Sequence, residues 1–265
     1  MLENEMTILV ASCDQYADIW DDFFACKEQN WPDCPFKTVL VTNHKIAENG
    51  DCETITCGDT NWSTRIRLAL EAINTKYVCF LMEDFLISEP VDTNEINNLV
   101  KMMDCDGLKY CKLCNGSPIK TAYYKEYRYV RVIPANYRYG ISLMAAIWDR
   151  QFFIECLGTE DYSPWKFEFD RNQEAAVATD ELAGVYDERN ILHICQLVVQ
   201  GKIMPAAVRE MKRKNYRIRC QGRPILSFRE TFLFWLKNNM SELSKSVPMI
   251  KRIAVKLGYR EIGAD

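Results

Sequence analysis

Two hydrophobic rhythms run along the chain. Short unbroken apolar runs at Thr7–Ser12 (TILVAS), Lys37–Thr42 (KTVLVT) and Tyr77–Met82 (YVCFLM) predict strands buried on both faces, as inside a parallel sheet. Thr54–Thr56 predicts a short one beside them. Between these runs the apolar residues recur at helical spacing. Tyr16, Ile19, Trp20, Phe23 and Phe24 form one face, with Asp18, Asp21 and Asp22 on the other, and the helix stops by Trp31-Pro32. Ser63 is the predicted N-cap of a helix carrying Trp62, Ile66, Ala69, Leu70 and Ile73. Asp92 or Thr93 caps another, with Ile96, Leu99, Val100 and Met103 inward. The β-α-β order favours a parallel sheet with right-handed crossovers.

After a strand at Gly107–Leu113 the pattern changes. Tyr123, Tyr124, Tyr127, Tyr129, Tyr137 and Tyr139 crowd a segment rich in Lys and Arg, and alternation over Tyr127–Ile133 predicts an antiparallel strand or hairpin. Ile141–Trp148 is another apolar run, Asp149–Leu157 a helix, and a polar-aromatic helix is predicted near Asn172–Ala183. Ile191–Val199 (ILHICQLVV) predicts a late strand, closed by a turn at Gln200-Gly201-Lys202. Ser227-Phe228-Arg229-Glu230 is a capping box, opening a helix with Phe228, Phe232, Trp235 and Leu236, and Pro248 opens a last helix that Gly258 ends. The predicted fold class is α/β: a mostly parallel sheet flanked by helices over residues 1–205, a small antiparallel portion within it, and a helical extension over 206–265.

Charge sharpens that boundary. Pro205–Arg260 holds fourteen Lys/Arg and three Glu, a local +11 in a chain of net −4, so the remainder carries −15. With Phe232–Leu236 consecutive, the tail suits an anionic membrane surface; packing on the core or a homodimer contact is the alternative. No recognised nucleic-acid motif accompanies the charge, so no nucleic-acid partner is expected. The opening MLENEMTILVASCD is acidic and lacks the apolar core of a leader, and no apolar run approaches ~20 residues, so a cytoplasmic location is expected, peripheral to the membrane at most. The twelve cysteines then read as reduced core thiols; Cys111-x-x-Cys114 lacks the second ligand pair that a structural zinc needs.

The candidate chemistry sits where YVCFLM ends in Glu83-Asp84. Carboxylates at the end of a buried parallel strand lie at the carboxyl edge of the sheet, where ligands of open α/β sheets bind. There they serve either as oxygen ligands for a divalent metal against a diphosphate or as solvated turn residues. Arg65 and Arg67 fall in a first helical turn, against the dipole, a placement that suits an arginine binding an anion. His193, alone in an apolar strand, reads as a hydrogen-bonded core residue or as a further metal ligand.

Four stretches in order, ILVASCDQY, NWSTRIRLAL, CFLMEDF and GISLMAAIW…SPWKFE, resemble bacterial GT-A-type glycosyltransferases of polysaccharide and lipopolysaccharide gene clusters. The resemblance spans about Thr7 to Pro205 and departs at the D-x-D motif, replaced here by Glu83-Asp84-Phe85. It implies a donor half over about 1–114 and an acceptor half over about 115–205. A nucleoside-diphosphate sugar would lie near Ser12, Asp14 and Tyr16, with Arg65 on the base or diphosphate. A divalent metal, Mn²⁺ or Mg²⁺, would be held by Asp84, supported by Glu83 and by His193. The acceptor would be a cell-envelope glycan or lipid-linked hydroxyl, attacking with inversion. Its base would be Glu168, which its Trp-Phe neighbours can desolvate, with Asp180 and Glu181 in reserve. Competing readings are a sugar-phosphate nucleotidyltransferase, which would want a glycine-rich phosphate loop after the first strand, and a non-catalytic binding or scaffold protein.

Overall fold

The apolar runs line up side by side as expected. In the computed structural model, which describes residues 5–48, 51–114, 121–179, 182–220 and 222–234, the first run is β1 (Met6–Ala11). A 3₁₀ turn at Asp14–Ile19 leads into α1 (Trp20–Asn30), then β2 (Thr38–Thr42), β3 (Glu53–Thr56), α2 (Trp62–Ala72) and β4 (Tyr77–Met82). Next come β5 (Phe85–Ile87), α3 (Thr93–Asp106), β6 (Tyr110–Lys112), β7 (Val130–Ile133), β8 (Ala146–Asp149), α4 (Arg150–Leu157) and α5 (Pro164–Val177). β9 (Gly184–Asp187), β10 (Ile194–Gln196), β11 (Val198–Val199), β12 (Lys202–Ile203) and α6 (Pro205–Arg213) follow.

One eight-stranded sheet runs in the order β3-β2-β1-β4-β8-β6-β9-β7. It is mostly parallel; β8 runs antiparallel between β4 and β6, and β7 antiparallel on the edge beside β9. Alternate residues of the strands supply two core layers, as the pleat requires. Ile8, Val10, Cys79 and Leu81 pack with Phe23, Leu99, Met103 and Met211 of α1, α3 and α6. Leu9, Val78, Phe80 and Trp148 pack with Trp62, Phe153 and Phe167 of α2, α4 and α5. At the centre of the second layer Trp148 and Phe153 stack at 4.2 Å, and Phe80 meets Phe153 edge-on at 5.4 Å. No helix among the described residues is long and apolar enough to cross a membrane.

Three local expectations change. α5 begins at Pro164 rather than near Asn172 and ends at Val177, so Trp165–Phe169 is helical. Proline suits a first helical turn, and the weak amphipathicity beyond it hides the period. Ser63 is no N-cap: Asn61 precedes α2, and the Ser63 hydroxyl donates to the Glu160 carbonyl (2.9 Å) and accepts from the Tyr162 N–H (2.8 Å). The apolar run Ile191–Val199 stays out of the main sheet. It splits into β10, antiparallel to β5, and β11, antiparallel to β12.

The basic segment that the charge pattern sets apart from residue 206 starts inside the body. Ala207, Met211 and Tyr216 belong to the same core layer as α1. Asp22 of α1, fully buried, accepts from the Tyr216 hydroxyl (2.8 Å) and from the N–H groups of Arg219 (2.8 Å) and Cys220 (2.9 Å). Asp22→Ala would leave these donors in the interior without an acceptor, and chemical denaturation should record a loss of about 3 kcal/mol. A change under ~0.5 kcal/mol would mean that the segment does not rest on Asp22. The capping box forms: the Glu230 carboxylate accepts from the Ser227 N–H (2.8 Å), and the Ser227 hydroxyl from the Glu230 N–H (3.3 Å). Phe228 is 89% exposed on the turn that follows. Trp235, Leu236 and the helix predicted from Pro248 lie outside the described residues.

Candidate active site at the carboxyl edge of the sheet

β1 and β4 pair in parallel with Ala11 beside Met82, so the residues that follow them, Ser12 and Glu83, emerge side by side. The Glu83 N–H donates to the Ala11 carbonyl (3.3 Å), and the Ser12 hydroxyl accepts from the Trp20 indole (2.7 Å). Glu83 and Asp84 are buried, at 8% and 6% exposure. The solvated-turn alternative therefore does not apply to them. β10 clamps the pair from the far end of the sequence: the Leu197 N–H donates to the Asp84 carbonyl (2.8 Å), and the Gln196 amide reaches the Asp84 carboxylate (3.4 Å).

Two adjacent carboxyls held out of water disfavour their own charge. Burial, and then the Asp84 carboxylate, push Glu83 well above the usual carboxylate range. Burial pushes Asp84 up to about 6, with the Gln196 amide pulling back. Two guanidinium groups face this pair. Arg65, in the first turn of α2, is 7% exposed; it donates to the Thr60 carbonyl (2.5 Å), and its Nε is buried without a partner among the described residues. Arg223 comes from the segment after α6. It is bonded to Asp18 through Nε (2.7 Å) and Nη2 (2.6 Å), donates to the Gln15 carbonyl (2.7 Å) and lies 4.3 Å over the Tyr16 ring. Its charge eases the ionisation of both Glu83 and Asp84.

Ser12, Tyr16, Arg65, Glu83 and Asp84 are thus brought to one edge. Asp14 lies beside them, but its carboxylate accepts from the N–H groups of His44 and Lys45. Desolvation raises its carboxyl, but those bonds together outweigh it and hold it below the usual range. Glu168, on α5, accepts from the Leu143 N–H (3.2 Å). Leu143 precedes β8, which runs antiparallel to β4, so Glu168 is anchored at the same edge on the other side of β4. Burial raises its carboxyl, opposed by the Leu143 N–H and the Lys112 charge. His193 is not brought in. Its backbone pairs with Ser88, away from Asp84 along the β5–β10 ribbon, and its ring meets Asn190 (3.0 Å) and Glu89 (3.5 Å). Asp180 and Glu181 lie outside the described residues.

Among the described residues no group of three or more His, Cys, Asp or Glu could hold a metal ion by itself. Glu83 and Asp84 nevertheless fit a hard divalent cation, which takes one or two carboxylates and completes its shell with phosphate oxygens and water. A cation there would relieve the mutual repulsion that raises both carboxyls. Arg223, Gln196 and Lys112 were not anticipated as part of this edge. Arg223 read as one of many tail charges, and only the return of the chain over Asp18 assigns it a place.

No family model matches the chain, and no curated protein matches it in sequence. Among solved structures it is similar to the bifunctional IspDF of Campylobacter jejuni (15% identity, TM-score 0.40, 72% of this chain and 52% of that one). It is also similar to S. aureus TarS 1–349 in complex with UDP-GlcNAc (12%, 0.39, 57% and 47%). A third is the 2-C-methyl-D-erythritol 4-phosphate cytidylyltransferase of Thermus thermophilus (10%, 0.45, 80% and 100%). The match spans about half the length of the first two.

Proposed function

We propose that the chain is a glycosyltransferase, moving a sugar from a nucleoside-diphosphate donor to a hydroxyl of a glycan or lipid-linked acceptor with inversion. The buried Glu83–Asp84 pair facing Arg65 and Arg223 carries this reading. The leaving group of such a transfer is a diphosphate, and its developing negative charge needs fixed positive charge in a site removed from water. Arg65 offers a buried guanidinium with a donor still to satisfy. Arg223, held by Asp18 over Tyr16, offers a second. A divalent cation on Asp84 and Glu83 would supply further neutralisation of the diphosphate. Glu168, on the acceptor side of β4, accepts the proton of the attacking hydroxyl; burial tunes its basicity upward.

A nucleotidyltransferase would cradle a triphosphate in a glycine-rich loop after the first strand. Ser12-Cys13-Asp14-Gln15 contains no glycine and turns at once into 3₁₀ helix, which favours the glycosyl reading. Calorimetric titration with UDP, GDP, CDP, ADP and dTDP, each with and without Mn²⁺, tests the proposal. Binding of at least one, strengthened by Mn²⁺, is expected; no binding of any of them would overturn it.

A further inference from the structure

The tyrosines that crowd the segment before β7 have no assigned task. Tyr123 is 50% exposed and Tyr129 38%. Exposed aromatic surface gathered in one place marks a binding face. Both rings are nonetheless fixed. Tyr123 sits opposite Arg131 in an antiparallel bridge, and the Arg131 guanidinium lies 3.9 Å from the centre of its ring. The Tyr123 hydroxyl donates to the Glu188 carboxylate (3.2 Å), which also accepts from Arg131. The Glu188 N–H donates to the Tyr129 carbonyl (3.0 Å), so one residue joins the two tyrosines. Arg189 lies 4.6 Å from the centre of the Tyr129 ring. It is itself held by the fully buried Asp187 (2.7 Å) and by Glu95 of α3 (2.8 Å).

The strands place these rings on the active edge. β8 runs antiparallel to β4, β6 antiparallel to β8, and β9 parallel to β6, so β9 points as β4 does. β9 therefore ends on the edge that carries Glu83 and Asp84, and Glu188 follows it directly. The tyrosines stand at the far end of that edge, past Glu168. β7 is three strands from β8 in the sheet, on the order of 15 Å at ~4.8 Å per strand. One sugar ring cannot touch Glu168 and Tyr123 at once.

The face of a tyrosine ring is negative and attracts the weakly polarised C–H hydrogens on the flat side of a pyranose. Its hydroxyl can exchange hydrogen bonds with sugar hydroxyls. Arg131 and Arg189 are already paired with carboxylates, so this face suits a neutral ring rather than an anion. Rings fixed before binding lose little side-chain freedom when a ligand settles on them. We infer that Tyr123 and Tyr129 form a sugar-stacking platform for a glycan. That this glycan is the acceptor rests on the transferase reading; that the face binds sugar rings stands without it. The substrate class follows: an oligosaccharide, neutral where it crosses the platform, whose reacting hydroxyl belongs to a different sugar from the stacked one.

The test is calorimetric titration of the full chain, without nucleotide, with maltotetraose, chitotetraose and mannotetraose. The wild type is expected to bind at least one of them. Tyr123→Ala and Tyr129→Ala should each weaken that binding ~3–10-fold, the range of one lost ring contact. Tyr129→Phe, which keeps the ring, should bind within ~twofold of the wild type. All three variants should take up a nucleoside diphosphate with Mn²⁺ as the wild type does. A wild type that binds a tetrasaccharide but no nucleoside diphosphate would uphold the platform and overturn the transferase reading alone. No binding of any tetrasaccharide, or affinity unchanged in both alanine variants, would overturn the inference. So would a dimer in sedimentation that both alanine variants abolish while no sugar binds, which would make this face an interface between copies.

Discussion

Asp84→Ala is expected to lower sugar transfer by ~10³-fold and to remove the effect of Mn²⁺ on nucleotide affinity. The same carboxyl gives a second reading that needs no substrate. Asp84 stands at about 6 in the folded chain and burial also raises Glu83 well above the usual carboxylate range, whereas an exposed carboxyl of the unfolded chain titrates near ~4. A carboxyl raised by folding favours the folded chain below its unfolded value, and that contribution is lost as pH rises through the folded value. The window set by Asp84 therefore runs from about pH 4 to about pH 6. Carboxyls held low, such as Glu230 at about 2 beside Lys202, pull the other way, so the informative quantity is a difference. Without divalent cation, Asp84→Asn should gain on the wild type as pH rises through that window, by on the order of 2–3 kcal/mol. Mn²⁺ should close the gap by stabilising the wild type alone. Thermal melts of the two proteins at several pH values, with and without Mn²⁺, check this. A gap independent of pH and metal would mean that Asp84 is neither desolvated nor a ligand.

Glu168→Gln should reduce turnover by ~10²–10⁴-fold while leaving donor affinity unchanged. The amide can still accept from the Leu143 N–H, so the geometry of the α5–β8 junction persists, but it cannot take the proton. The remaining activity should lose its dependence on the acidic limb of the pH profile, because burial sets that limb through Glu168. Near-normal turnover in the variant would remove Glu168 from the proton transfer. A matched loss of donor affinity would instead give it a binding role.

The parallel half of the fold was legible because unbroken runs such as YVCFLM have few alternatives once bounded by turns. Glu83 and Asp84 were legible for the same reason: a strand has one carboxyl end, and they stand on it. Ser63 misled because a serine before an apolar face is a common N-cap, and no local pattern announces its bonds to Glu160 and Tyr162. His193 misled because ILHICQLVV has the composition of a central strand, whereas its backbone is spent on the short β5 ribbon. Arg223 and Lys112 were hidden for a different reason. A cation in a basic tail and a cation in a short strand acquire their roles only from what the rest of the chain places around them.

The β5–β10 ribbon has a consequence for how the protein is made. Asp84 and the Gln196 that braces it are 112 positions apart, and Arg223 closes on Asp18 across 205. On a ribosome adding ~5–20 residues per second, the acidic strand end leaves the tunnel many seconds before its brace exists. Through that interval the nascent chain can pair β1, β2, β3 and β4 from local crossovers, but β5 has no β10 to meet and the first-strand turn has no Arg223 above it. Under the proposed function, donor handling would therefore be a late acquisition of synthesis, reached only after residue 223 has emerged, and chains released early would carry the carboxylates without Gln196 and Arg223 beside them.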